Sequence, residues 1–246
     1  MQVTKKVTYT VEDFELRRKP IEDSISIKEI ERELCPICNT ELEHIEIKKE
    51  NVFGCPKCKK EIERKKALKE KGFEVRYLAY DLSPENPFDS KYQEGNGIFY
   101  HWKDMGREEL LKYCELLGYD PETKEKISKE NPDTVRIDKY EHSGISYSVE
   151  GEGRNCRWDT SHSWAVWYPD NVLLEDLKRF KTKQARRKRC IELARQACEL
   201  FNQWANGEVY GIVKETFDKN KEPINDDACY GFFGYHYAIQ ALKTEI

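Results

Sequence analysis

The apolar positions of this chain change period several times, and each change predicts an element. Between residues 2 and 11, Val3, Val7, Tyr9 and Val11 lie on alternate positions, as in a half-buried strand. Ser26 and Glu29 have the spacing of a capping box, and Ile27, Ile30 and Leu34 follow at helical spacing, so a short helix is predicted. The segment 41–49 interleaves charged residues with Leu42, His44 or Ile45, and Ile47, and reads as part of a short hairpin. The Lys- and Glu-rich run 59–72 predicts a charged helix closed by Gly72. It is either a solvated connector or a basic face. Strand character resumes over 73–80 with Phe73, Val75, Tyr77 and Tyr80.

The second half is easier to segment. Pro84, Asn86, Pro87, Gly95 and Gly97 mark a loop, and 98–102 is a short apolar strand. Leu110, Leu111, Cys114 and Leu117 form the inner face of a helix over 107–118, closed by Gly118. A strand starts at 134–138. Another, over 140–149, alternates Ile145, Tyr147 and Val149 with Ser146 and Ser148. Gly151 and Gly153 end it, 154–163 is a polar loop, and 164–168 returns as a strand. A short helix follows Pro169, Asp170 and Asn171. Thr182 then caps a longer one that runs to Asn206, with Gly207 as its stop. Its stripe is Ile191, Ala194, Cys198, Phe201 and Ala205, widened by Leu193, Ala197, Leu200 and Trp204. Strands over 208–217 and 229–237 complete the order β-β-α-β-β. That order predicts an α+β fold: a curved antiparallel sheet covered on one face by the long helix, plus a small N-terminal zinc ribbon. The expected domains are 1–33, 34–60, 61–72 and 73–246.

Composition narrows the class. With 246 residues, 38% hydrophobic and 12% aromatic, the chain has enough bulk for a core despite 36% charged residues. A net charge of −4 gives no global attraction to nucleic acid, so any such contact needs a local patch. No run of 18 apolar residues marks a membrane span, and the first residues lack a signal-peptide core, so a cytoplasmic location is expected.

Nine cysteines are present. Cys35 and Cys38 form one Cys-x-x-Cys pair and Cys55 and Cys58 another, with sixteen residues between the pairs. Two such knuckles offer four thiolates to one ion, the arrangement zinc accepts as a closed tetrahedral shell. A closed shell leaves no substrate position, so Zn2+ here is expected to be structural. The alternatives are a redox pair or iron–sulfur ligation. Cys114, Cys156, Cys190, Cys198 and Cys229 are left over, and most read as small buried hydrophobes.

Several short motifs fall in a recognisable order: Asn86-Pro87; Gly95 with His101; His142-Ser143-Gly144; Cys156-Arg157-Trp158-Asp159; Asn206 to Gly211; and Cys229 to Gly234. In this order the chain resembles a family of bacteriophage- and prophage-encoded proteins with no assigned activity. The resemblance spans about residues 81–235 and excludes the cysteine pairs, so the ribbon reads as an added module. It departs from the family pattern at Trp102, Lys103 and Asp104 and again at Thr160–Trp164. The resemblance implies a viral or prophage-borne cytoplasmic protein and no reaction.

Two sites are candidates. His142, Cys156 and Asp159 have the residue types of a covalent centre: Cys156 as nucleophile, His142 as base, Asp159 orienting the base. The competing reading is a packed turn with Trp158 in the core and Asp159 bonding the backbone of residues 160–163. Lys178, Arg179, Lys183, Arg186, Arg187, Lys188 and Arg189 form the dense basic block, able to contact phosphates or simply to remain solvated. Three functional classes follow: a viral protein binding nucleic acid or a host nucleoprotein, an enzyme, or a virion component.

Overall fold

The structure, a computed structural model, describes residues 9–34, 36–37, 43–44, 52–54, 56–58, 61–63, 68–88, 94–101 and 106–244. In chain order the strands are β1 (Ser26–Leu34), β2 (Glu43–His44), β3 (Val52–Gly54), β4 (Glu61–Glu63), β5 (Leu68–Tyr80) and β6 (Ile98–His101). Helix α1 (Arg107–Leu117) precedes β7 (Val135–Glu141), β8 (Ile145–Val149) and β9 (Thr160–Tyr168). Then come α2 (Asn171–Leu177), α3 (Lys183–Ala205), β10 (Val209–Phe217), β11 (Pro223–Phe233) and α4 (Tyr235–Thr244). The fold is α+β, with antiparallel sheets. No described helix is long and apolar enough to cross a membrane.

The chain forms two compact units: Met1–Tyr80 with Tyr210–Phe232 and His236–Ile246, and Asp81–Val209 with Phe233–Tyr235. The first is built on the sheet β1-β5-β10-β11. Each strand of this sheet lies beside the next of its members in chain order, so the sheet is a meander. Strand β5 alternates strictly. Phe73, Val75, Tyr77 and Ala79 bury against Phe14 of the N-terminal segment, with Tyr9 and Leu16 beside it. Leu78 points to the other face and meets Ala238 and Leu242 of α4. Glu215, almost fully buried, accepts from the Tyr77 hydroxyl and from the Arg17 amide. Burial, then the neighbouring carboxylate, push the Tyr77 phenol well above its usual range. Asp226 pairs with Arg17 and Arg18, tying down the same segment.

Three expectations are overturned here. Residues 26–34 are a strand, not a capped helix, because β5 supplies a full antiparallel partner from Ser26↔Arg76 to Leu34↔Leu68. The 61–72 connector helix is also absent among the described residues, which there form β4 and the start of β5. Gly72 is no helix stop. It pairs with Ile30, where a Cβ would collide with the Phe217 carbonyl and the buried stem of Arg32. At the other end, 229–237 is not one strand: β11 starts at Pro223, and a helix follows from Tyr235. Residues 1–8, most of the first predicted strand, lie outside the described residues.

Between Leu34 and Leu68 sits a second sheet, β2-β3-β4, paired Glu43↔Gly54 and Val52↔Glu63. Turns at Pro36–Ile37 and Pro56–Cys58 fall within the two Cys-x-x-Cys segments. Cys35, Cys38 and Cys55 lie outside the described residues; Cys58 is half-buried.

The second unit carries the sheet β6-β9-β7-β8. The expected five-element order is therefore split, with β10 and β11 joining the first unit's sheet. Val135, Ile137, Tyr147, Val149, Ala165 and Trp167 bury against Leu173 and Leu177 of α2 and against α3. From α3 come Cys190, Leu193, Ala194, Ala197 and Cys198. Each large apolar side chain so buried stabilises by roughly 1.5–3 kcal/mol. Helix α3 begins where Thr182 accepts from the Ala185 amide. Near its end, Asn202 bonds both Tyr147 N–H (2.6 Å) and C=O (3.0 Å). Asn206 does the same at Ile145 (3.2 and 2.8 Å). Two amides one turn apart thus satisfy the outer side of edge strand β8. The ends of the unit meet where the Asp81 amide donates to Val209 O at 2.9 Å.

Candidate functional site

The segment 140–168 is a strand, a hairpin turn, a strand, a long loop and a strand. β7 reaches Glu141, and His142–Gly144 turn the chain into β8, so 140–149 is not a single strand. Ile137 pairs with Ala165 and Lys139 with Ser161, so β9 bulges around His162 and Ser163, the latter at φ 47°. Asp138 holds that bulge. Its buried carboxylate accepts from Ser163 N at 2.8 Å and Gly151 N at 3.1 Å, and meets His162 Nδ1 at 3.1 Å. Gly153 lies so close to Ser148 that any Cβ would strike the hydroxyl, which keeps the loop against β8.

The tip of the loop is fixed by Thr160. Its hydroxyl accepts from Cys156 N and donates to Arg154 O, each at 2.9 Å, and its amide donates to Cys156 O. His142, Cys156 and Asp159 lie together, with the carboxylate in the middle. Cys156 Sγ lies 3.3 Å from Asp159 Oδ2, and His142 Nδ1 lies 3.3 Å from the same oxygen. Among the described contacts, thiol and imidazole share no hydrogen bond. A nucleophile needs its base within reach of the proton it loses; here the thiol proton faces a carboxylate.

The packed-turn picture fails in two respects. Trp158 is 84% exposed, not in the core. Asp159 bonds Cys156 and His142, while Ser163 N belongs to Asp138. The Arg157 guanidinium lies over the Trp158 ring at 5.1 Å, and Arg154 lies over Tyr140 at 5.4 Å. Neither arginine has a carboxylate partner among the described residues. The nearby acids are already engaged: Glu141 with Lys139, Glu150 with Ser163, Glu152 with Arg195. Sequence reasoning missed Arg154 and Arg157. The available signal is a tryptophan flanked by charged residues on both sides in a loop that follows Gly151 and Gly153.

No family model, curated protein or solved structure matches the chain.

The basic block is largely consumed within the protein. Arg186 makes a two-pronged pair with Asp133 at 2.7 and 2.6 Å. Arg187 donates to the carbonyls of Thr134 and Pro132. Lys178, Arg179 and Arg189 pair with Glu175, Asp176 and Glu192, while Lys183 and Lys188 project into solvent. Elsewhere, His101 stacks on Trp164 at 5.0 Å, while Cys229 and His236 belong to the first unit. Burial, reinforced by a nearby carboxylate, pushes the Cys190 thiol up to about 11 and Cys198 to about 12, so both stay protonated and inert. A cleft of about 230 Å³ between Gly95–Asn96, Leu173 and α3 has no titratable lining.

Proposed function

We propose that this chain is an accessory protein of bacteriophage or prophage origin that binds nucleic acid or a host nucleoprotein in the host cytoplasm. Inhibition of a host defence system, of the anti-CRISPR or anti-restriction kind, is the role such binding would serve. The observation that carries the reading is local: Arg157 lies over an exposed tryptophan and Arg154 over Tyr140 on the same loop, neither with an acidic partner among the described residues, in a chain of net charge −4. Paired cations such as Arg186 release few counterions from a phosphate backbone, so they add little affinity. The loop, rather than α3, is therefore the better interface, with Lys183 and Lys188 as outlying contributors.

Four cysteines in two Cys-x-x-Cys pairs suit a closed zinc shell, and we include structural Zn2+ held by Cys35, Cys38, Cys55 and Cys58 in the proposal. Zinc would supply folding energy to a three-stranded sheet too small for its own core. Fluorescence anisotropy of the zinc-loaded protein with labelled oligonucleotides at low salt tests the binding. Arg154→Ala with Arg157→Ala should weaken it and flatten its salt dependence. If neither oligonucleotides nor host nucleoproteins bind, the reading fails.

An enzyme with a Cys156/His142/Asp159 centre is the second reading, favoured by the gathering of those three side chains. Folded Cys156→Ser and His142→Ala variants with an unaltered phenotype would sink it.

A further inference from the structure

We infer that the loop tip is a base-stacking platform, and that its ligand is single-stranded nucleic acid with one base laid on Trp158. The inference rests on the nucleic-acid reading above and names the form of the ligand. An indole has two faces. Arg157 covers one at 5.1 Å, and the 84% exposure of Trp158 leaves the other open. A base on the open face would complete a guanidinium–indole–base stack. Arg154, stacked on Tyr140, lies on the same loop and offers a second positive charge, without a carboxylate partner among the described residues, for a phosphate of the bound strand.

The loop is built before any ligand arrives. Thr160 ties Arg154 to Cys156, the Glu141 amide bonds Asp159 O, and Asp159 bridges Cys156 and His142. A pre-formed platform loses little freedom on binding. Only an unpaired base offers its face to an exposed ring. In a duplex both faces are stacked inside the helix, and a duplex could use only the arginines. Acidic peptides would suit the arginines but leave the indole face without a planar partner.

The test uses the full zinc-loaded chain and three fluorescein-labelled probes of equal length: oligothymidylate, the same backbone with abasic sites, and a hairpin duplex. Anisotropy and quenching of tryptophan emission are read together. Oligothymidylate should bind tightest. Trp158→Ala should weaken it about tenfold, the scale of one base–aromatic stack. Trp158→Phe should keep most of the affinity. The abasic probe should bind weakly and be indifferent to either variant, while Arg154→Ala should weaken all three probes. Because Trp158 is exposed, its removal leaves the core intact. Equal binding of oligothymidylate by wild type and Trp158→Ala would overturn the platform, as would a preference for the duplex, and either result would leave nucleic-acid binding standing. Failure of every probe to bind would overturn both.

Discussion

Asp138 is the residue whose removal should be felt most in the second unit. Its carboxylate serves the amides of Ser163 and Gly151 and the ring of His162 from a nearly sealed position. Asp138→Ala leaves two amides without acceptors, so it should cost about 2–4 kcal/mol. Urea unfolding measures this; a loss under about 0.5 kcal/mol would refute the assignment. The sequence pattern marks the loop 154–163 but not this anchor. Asp138 sits in a strand pattern, and nothing local shows that β9 bulges opposite it. Trp158 was misplaced for a related reason. Tryptophan is usually well buried, and only the turn made by Cys156 and Thr160 reveals that its side chain points outward.

At the scale of elements, caps and stripes were legible wherever the helix itself supplied the signal. Thr182, the stripe through Ala194 and Cys198, and Gly207 mark α3 because capping and 3.6-residue spacing are local properties. Strand β1 was misread because its ion pairs run across strands. Lys69 meets Glu31 and Arg32 meets Glu70, contacts that no helical spacing encodes.

Two element-scale outcomes are expected. Asp170 caps α2 through Leu173 N and also accepts from Gly95 and Gly97. Burial alone would raise its carboxyl. The backbone donors of Leu173, Gly97, Gly95 and Val172 outweigh that and hold it below the usual range. A carboxyl depressed in the folded state contributes stability above its unfolded value, near 4, and loses it as pH falls through the lower folded value. Asp170→Asn should therefore be less stable at pH 7 and show a flatter decline below about pH 4 in thermal scans. The second outcome concerns the edge of β8. Asn202→Ala exposes half-buried backbone groups and should cost about 1–3 kcal/mol; Asn206→Ala, where water can replace the amide, should cost under about 1. The double variant frees a sheet edge and should self-associate in light scattering. A monomer of unchanged stability would contradict this.

For the whole molecule, the chain is a meander with modules set into its turns. The β2-β3-β4 sheet fills the connection between β1 and β5, and residues 81–209 fill that between β5 and β10. The sequence pattern puts 208–217 and 229–237 in one sheet with the strands of 140–168, since elements close in sequence are usually close in space. It could not foresee that Tyr80 and Tyr210, far apart in sequence, stand opposite each other. Metal removal tests the zinc site proposed for the inserted module. A chelator should release one Zn2+ per chain and expose four reactive thiols, with amide protection lost around β2–β4 and retained in α3. Protein purified without stoichiometric zinc would refute the metal assignment.

The hydrogen bond from Asp81 to Val209 O has a consequence in time. Pairing β5 with β10 through an unfolded connection means closing a loop of more than a hundred residues, an entropic penalty of roughly 4–5 kcal/mol. Once the intervening unit has folded, its two ends are already adjacent and the penalty has gone. Refolding should then run from the inside outward, with α3 amides protected before those of β10. Slowing the inner unit, by Asp138→Ala for instance, should delay the outer sheet although the substitution touches none of its strands.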